Sequence, residues 1–182
     1  MTKEYFDVLD ENGGFTGEII ERDKAHEIGA WHRAVGLFIV NSKNQVLSQR
    51  RSKHKKLWPD CWDYTAGGHV DAGELGLASV VREAEEELGI KLDLSDVHYI
   101  SSYRSDKKHG SIWDRHFNEY YIAFKDVDIK DIKLQEGEVE DIKWLDYKDF
   151  RQMIVSRDKS LTTKWECHDA LVRYFDRYAL TL

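Results

Sequence analysis

Between Gly68 and Ile90 the chain reads GHVDAGELGLASVVREAEEELGI, a glycine-rich turn followed by a run of helical periodicity that carries Glu83, Glu86 and Glu87. On a helix, residues three and four apart share a face. These acids therefore converge on one small region, while Leu77, Val80, Val81, Ala84 and Leu88 form a separate apolar stripe. Carboxylates this close repel one another and raise each other's pKa unless a cation lies among them, and hard oxygen donors suit Mg²⁺ or Mn²⁺. The segment reads as a metal cradle, and metal-assisted chemistry at phosphate is the reaction such a cradle serves. A solvated acidic face is the plainer alternative for a short charge run.

Spacing separates the two readings. From Gly68 the order is Gly, five residues, Glu74, seven residues, Arg82-Glu83, Ala84, one residue, Glu86-Glu87, one residue, Gly89, Ile90. This resembles the signature box of the Nudix hydrolases at every fixed polar and glycine position. Ala84 is the one departure, where that family carries a larger aliphatic residue. The resemblance implies a Nudix-type α/β/α sandwich with a mixed β-sheet and a loop-helix-loop metal site. It also implies Mg²⁺ on Glu83, Glu86 and Glu87, with Glu83 and Glu86 in the catalytic set. Arg82 is expected to brace the carboxylates, and Glu74 to hold the loop or reach the metal through water. Gly67, Gly68 and Gly73 are expected to let the backbone turn tightly and approach phosphate. Members of that family differ in which glutamate serves as base. Glu119, a charge within Asn118-Glu119-Tyr120-Tyr121-Ile122-Ala123-Phe124, is the candidate outside the box, with an edge-strand glutamate in water as the alternative.

The stretch RRSKHKKLWPDCWDYTAGGHVDAGE, with His26 and Trp31-His32 upstream, also resembles the Nudix branch that contains isopentenyl diphosphate isomerase. That likeness implies that Arg51 and Lys55 grip a diphosphate. A bidentate guanidinium and an ammonium beside a glycine-rich turn make a phosphate clamp on physical grounds too. The isomerase needs a cysteine where this chain has Gly67, which argues against isomerisation. Its Glu-x-Glu metal pattern is reduced here to Phe117-Asn118-Glu119. His32 and His69 match isomerase metal ligands and His26 sits one residue out of register, but with the other ligands missing the three read as shared scaffold.

The elements that must position these groups follow from local pattern. Tyr5 to Leu9 and a segment from Phe15 read as an N-terminal hairpin around Asp10-Glu11-Asn12-Gly13-Gly14. Ala34 to Val40, Val46 to Gln49, Trp62 to Ala66, Val97 to Arg104, His116 to Phe124 and Asp141 to Leu145 read as strands. The box helix is expected from about Leu75 to Leu88, ended by Gly89, with further helices over Tyr147 to Val155 and Thr162 to Tyr178. Leu161, Trp165, Val172, Phe175 and Ala179 form a core-facing stripe, while Trp31, Trp62, Tyr103 and Phe117 either stack a ligand or pack the core.

At 182 residues and 41% hydrophobic content the chain suits one domain, residues 1–182, with a hairpin extension at about 1–30. A formal charge of −7 argues against a nucleic-acid polymer as partner. Cys61 and Cys167 are too few for a disulfide framework, and no apolar run suits a signal peptide or a membrane span, so the cytoplasm is the expected location. The expected partner is a small diphosphate compound, with no membrane and with a homodimer left open. Three functions compete: a Mg²⁺-dependent pyrophosphohydrolase acting on a nucleoside diphosphate derivative, an isomerase-like enzyme, and a noncatalytic nucleotide-sensing module. The intact box favours the first.

Overall fold

The computed structural model describes residues 3–178. Strand β3 (His32–Val40), apolar along most of its length and buried on both faces, is the spine of a six-stranded mixed sheet. It pairs in parallel with β7 (Ile112–Phe124) from His32↔His116 to Val40↔Phe124. Such a doubly covered strand needs a near-continuous run of β-branched and aromatic residues. β6 (Val97–His109) continues the sheet beyond β7 as a long hairpin.

The other edge of β3 is divided. β4 (Gln45–Arg51) pairs with it only at Ile39↔Leu47 and Val40↔Val46, then leaves to pair with β5 (Trp62–Asp63) and β8 (Val139–Asp146). The vacated edge is taken by residues 65–70. Leu37 N–H donates to the Ala66 carbonyl and Val35 N–H to the Gly68 carbonyl, each at 2.8 Å, and Val70 N–H donates to the Arg33 carbonyl at 3.1 Å. The predicted strand from Trp62 to Ala66 is thus two residues of β5 followed by an irregular segment, because Thr65 must leave β4 and cross to β3. Gly67, Gly68 and His69 sit at that split.

Two helical layers cover the sheet. α2 (Gly76–Leu88) lies on one face, with Val80, Ala84 and Leu88 buried against Val35, Leu37, Ile39 and Tyr121, and Leu77 and Val81 packed beside them. Each large aliphatic side chain so buried contributes about 2 kcal/mol. The stripe expected from sequence is the one buried, and Gly89 ends the helix at φ 68°. α3 (Tyr147–Val155) and α4 (Trp165–Tyr178) cover the other face around Phe38, Tyr120, Phe150 and Leu171. Leu161 and Phe175 of the α4 stripe are buried there, whereas Ala179 lies outside the described residues. α4 starts three residues later than expected, since Thr162 is drawn into a buried bond with Asp63.

β1 (Tyr5–Leu9) and β2 (Phe15–Glu21) form the expected hairpin as a separate two-stranded sheet. The pattern reading missed α1 (Arg22–Ile28), a two-turn helix with too few residues for a periodic signal.

Candidate active site at the box helix

The split in the sheet places a glycine turn under the carboxylates of α2. Gly67 N–H donates to Glu87 Oε2 at 3.1 Å, and Gln49 Nε2 donates to the same oxygen at 3.1 Å. A Cβ at Gly68 would collide with the Glu83 carboxylate, and one at Gly67 would collide with the Val35 carbonyl oxygen and lie 2.8 Å from the Tyr64 ring. Of the three glycines expected to turn the chain, only Gly73 has a left-handed φ, at 79°. The other two are glycines because helix and strand pass too close for a side chain.

Arg82 is the hub of the acidic face. Its Nη1 donates to Glu83 Oε1 at 2.9 Å and to Glu86 Oε2 at 3.1 Å, and its Nη2 donates to Glu74 Oε2 at 3.2 Å and to the His69 carbonyl at 3.2 Å. Glu74 also accepts from Ser79 Oγ at 2.5 Å, which closes the loop onto the first turn of α2. Burial, with the neighbouring Glu87 charge, pushes the Glu83 carboxyl up to about 7. Glu87 is buried and raised by that burial, while Glu86 is about half exposed. Two crowded, desolvated carboxylates beside a third offer a set of hard oxygen donors, and a divalent cation among them relieves their repulsion.

Opposite Glu87 stands the basic loop. Lys55 pairs with Glu138, and burial followed by the Arg51 charge brings its ammonium down to about 8. Arg51 Nη1 lies 3.5 Å from Asp63 Oδ2. Burial alone would raise the Asp63 carboxyl, but the charges of Lys164 and Arg51 hold it below the usual range. Gln49, two residues before Arg51 on β4, donates to Glu87, so the strand that carries the clamp arginine ends beside the box helix. A hollow of about 600 Å³ beside Asn41, Asp126 and Trp144 shares none of these residues.

A second cluster adjoins it. His26 of α1, His32 of β3, His69 of the turn and His116 of β7 bring one ring nitrogen each to within 4.8 Å of one another. The parallel register sets His32 beside His116, with ring centroids 4.5 Å apart, and Phe6 stacks at 4.7 Å on both His32 and His69. Nε2 of His32 and Nε2 of His116 are buried without a hydrogen-bond partner among the described residues. Burial lowers His32 to about 4, and it lowers His69 and His116 well below the ordinary imidazole range. Asp114 approaches His26 at 3.7 Å.

The NUDIX domain family model matches residues 30–165, a span holding the box, the clamp and three of the four histidines. The chain belongs to the Nudix family. Nudix hydrolase 3 of Arabidopsis thaliana is 34% identical over 163 residues, which are 87% of this chain and 21% of that protein, so this chain corresponds to a minor part of its length. An uncharacterized Nudix hydrolase of Listeria monocytogenes is 35% identical over 142 residues, covering 78% of this chain and 79% of the relative. Isopentenyl-diphosphate Delta-isomerase of Salmonella typhi is 30% identical over 158 residues, covering 86% and 84%. DR0079 of Deinococcus radiodurans superposes with a TM-score of 0.71 at 24% identity, covering 93% and 98%, and shares the fold. The chain thus has both hydrolase-named and isomerase-named relatives within that family, and no helix among the described residues is long and apolar enough to cross a membrane.

Within this Nudix site Arg82 bridges Glu83 and Glu86, Glu83 lies against Gly68, and Glu87 meets the Gly67 amide and Gln49, two residues before Arg51; among the described residues the ligand atoms gathered within 4.8 Å are those of the four histidines, not of the box acids. Glu119 lies at the other end of the helix face. Its Oε2 accepts from Tyr121 Oη at 2.5 Å and abuts Gly76, two turns before Glu83 at the start of α2. The pattern placed at Phe117-Asn118-Glu119 is also corrected: Asp114 and His116, two residues apart and hence on one strand face, are the β7 groups beside the other histidines. His116 and Asp114 escaped the sequence reading because only the β3–β7 register brings them to His32. The period-2 spacing of two potential ligands was the available signal.

Proposed function

We propose that this protein is a Mg²⁺-dependent hydrolase, with Mn²⁺ as a substitute, that cleaves the diphosphate linkage of a small compound such as a nucleoside diphosphate derivative in the cytoplasm. The observation that carries this reading is the juxtaposition of the Arg82-braced acids of α2 with Arg51 and Lys55 across the Gly67 turn. Glu83, Glu86 and Glu87 are the residues that would hold the metal. When bound, the metal supplies neutralisation of phosphoryl oxygens and acidification of a water. Arg82 fixes the direction of Glu83 and Glu86, and Lys55 and Arg51 orient the diphosphate by charge. Glu119, beside the first turn of α2, is the candidate base outside the box.

The isomerase reading is disfavoured by space as well as by sequence, since any side chain at position 67 meets backbone. A sensing module has no need of three braced carboxylates. The histidine cluster favours a second metal site: four imidazoles with Asp114 beside them form a nitrogen-rich set suited to Zn²⁺, Co²⁺ or Ni²⁺ rather than Mg²⁺. Metal analysis of the purified protein and of His116→Gln reads that site without reference to activity; equal metal content in the two would remove it.

The test of the main reading is phosphate and pyrophosphate release from nucleoside di- and triphosphates, dinucleotides, nucleotide sugars and isopentenyl diphosphate, with and without Mg²⁺, in wild type and Glu86→Gln. Turnover that requires both Mg²⁺ and Glu86 is expected. Ligand binding with no turnover moves the assignment to a sensing module.

A further inference from the structure

The residue preceding α4 is a lysine in a costly position. Lys164 Nζ donates to Asp63 Oδ2 at 2.7 Å and to Tyr64 Oη at 2.8 Å, while its carbonyl accepts the first amides of α4. A cation at a helix N-terminus opposes the helix dipole. Arg51 approaches the same Asp63 oxygen, and Asp63 accepts further bonds from Thr162 Oγ1 at 3.0 Å and from the Tyr64 amide at 3.0 Å. Asp63 is completely buried, and its one carboxylate faces two cations. A structural ion pair needs one cation, and a second desolvated one is a cost unless an anion joins it. An ammonium has three protons, and two are used here among the described residues.

The surroundings aim that surplus charge at the clamp. Trp58, at φ 49°, donates from Nε1 to Thr163 Oγ1 at 2.8 Å and lays its ring 5.6 Å from Lys164 Nζ. This bond ties the loop carrying Lys55 to the start of α4. Lys164 Nζ and Arg51 Nη1 approach the same Asp63 oxygen, at 2.7 and 3.5 Å, so the lysine stands beside the clamp arginine.

We infer that Lys164, held in place by Asp63, is a third substrate-binding cation beside Arg51 and Lys55, and that it selects substrates whose diphosphate ends in a free phosphate over those in which both ends are esterified. A terminal phosphate adds a negative charge and one more non-bridging acceptor oxygen, which a third ammonium matches. The inference rests on the hydrolase reading above and names the substrate class of that site. Lys164 is a binding residue here; Asp63 is a positioning residue that acts through it.

The experiment is calorimetric binding of two non-hydrolysable probes, α,β-methylene-ADP and α,β-methylene-ADP-ribose, with Mg²⁺, to wild type, Lys164→Met and Lys164→Arg. Lys164→Met is expected to weaken the free-ended probe by about 10-fold or more and the capped probe by less than about 3-fold, with Lys164→Arg recovering most of the loss. Equal weakening of both probes, or of neither, overturns the inference while leaving the hydrolase reading intact; wild type that binds neither overturns both. Should Lys164→Met fail to fold, reductive methylation of wild type read by peptide mass spectrometry decides the matter. Protection of Lys164 by the free-ended probe supports the assignment, and unchanged labelling overturns it.

Discussion

The Gly67 amide donates to Glu87 Oε2, and with the Arg82 bond to the His69 carbonyl it fastens the glycine turn to the acidic helix. The same closeness leaves no room for a side chain at position 67, where the Val35 carbonyl already occupies the Cβ position. Gly67→Cys and Gly67→Ala are expected to destabilise the protein by about 1–3 kcal/mol, the cost of forcing atoms into packed structure. Urea unfolding measures it. A Cys variant as stable as wild type would show that the turn relaxes freely.

Glu86 is half exposed and among the described residues pairs with Arg82 alone, so its contribution to stability is small. Glu86→Gln is expected to reduce Mg²⁺-dependent turnover roughly 100-fold or more while thermal unfolding is unchanged. Glu87→Gln keeps an oxygen for the Gly67 amide and is expected to lose turnover in the same way. Full activity in both would remove the metal assignment.

Lys55 faces Glu87 and pairs with Glu138 at the rim of the site. Lys55→Ala is expected to raise KM about 10-fold or more with a smaller change in kcat, the pattern of a lost ground-state contact that persists into the transition state. Steady-state kinetics on the best substrate of the panel separates the two parameters. Unaltered KM and kcat would dismiss the clamp.

His168 is expected to cost stability as pH falls, against the opposite contribution of Glu83, whose raised carboxyl takes up its proton in the folded protein first. His168 is fully buried, and burial lowers its imidazole to about 4. Above pH 6.5 neither folded nor unfolded His168 holds the extra proton, so it contributes no pH dependence there. Between about pH 6.5 and 4 only the unfolded chain takes it up, and stability drops by roughly 3 kcal/mol from this group. Denaturant titrations at pH 7 and pH 4.5 should show a smaller difference for His168→Gln than for wild type. An equal difference places the loss at other groups.

The box acids, the apolar stripe of α2 and the clamp residues were legible in sequence because they lie within one short stretch whose spacing is local: helix periodicity and turn chemistry act over a few residues. The strands were legible for the same reason, as alternation and β-branched runs, and only their ends were misplaced. Glu119 was singled out as a charge in an aromatic strand, which is a local oddity, but its place by Gly76 depends on how far along α2 the strand runs.

What lay beyond local pattern was decided by register and by the split sheet. His26, His32, His69 and His116 come from a helix, a strand, a turn and a second strand, and no spacing rule joins them. Their meeting requires the parallel β3–β7 pairing and the seating of residues 65–70 on the edge that β4 leaves. Lys164 and Asp63 are 101 residues apart and meet because the segment from Ser160 to Thr162, just before α4, bonds to β5 at Trp62. The sequence by itself determined which chemistry the chain carries, since that chemistry is written in side chains a few residues apart. The tertiary structure alone decided which charges and imidazoles share a site, because those distances are set by long-range packing.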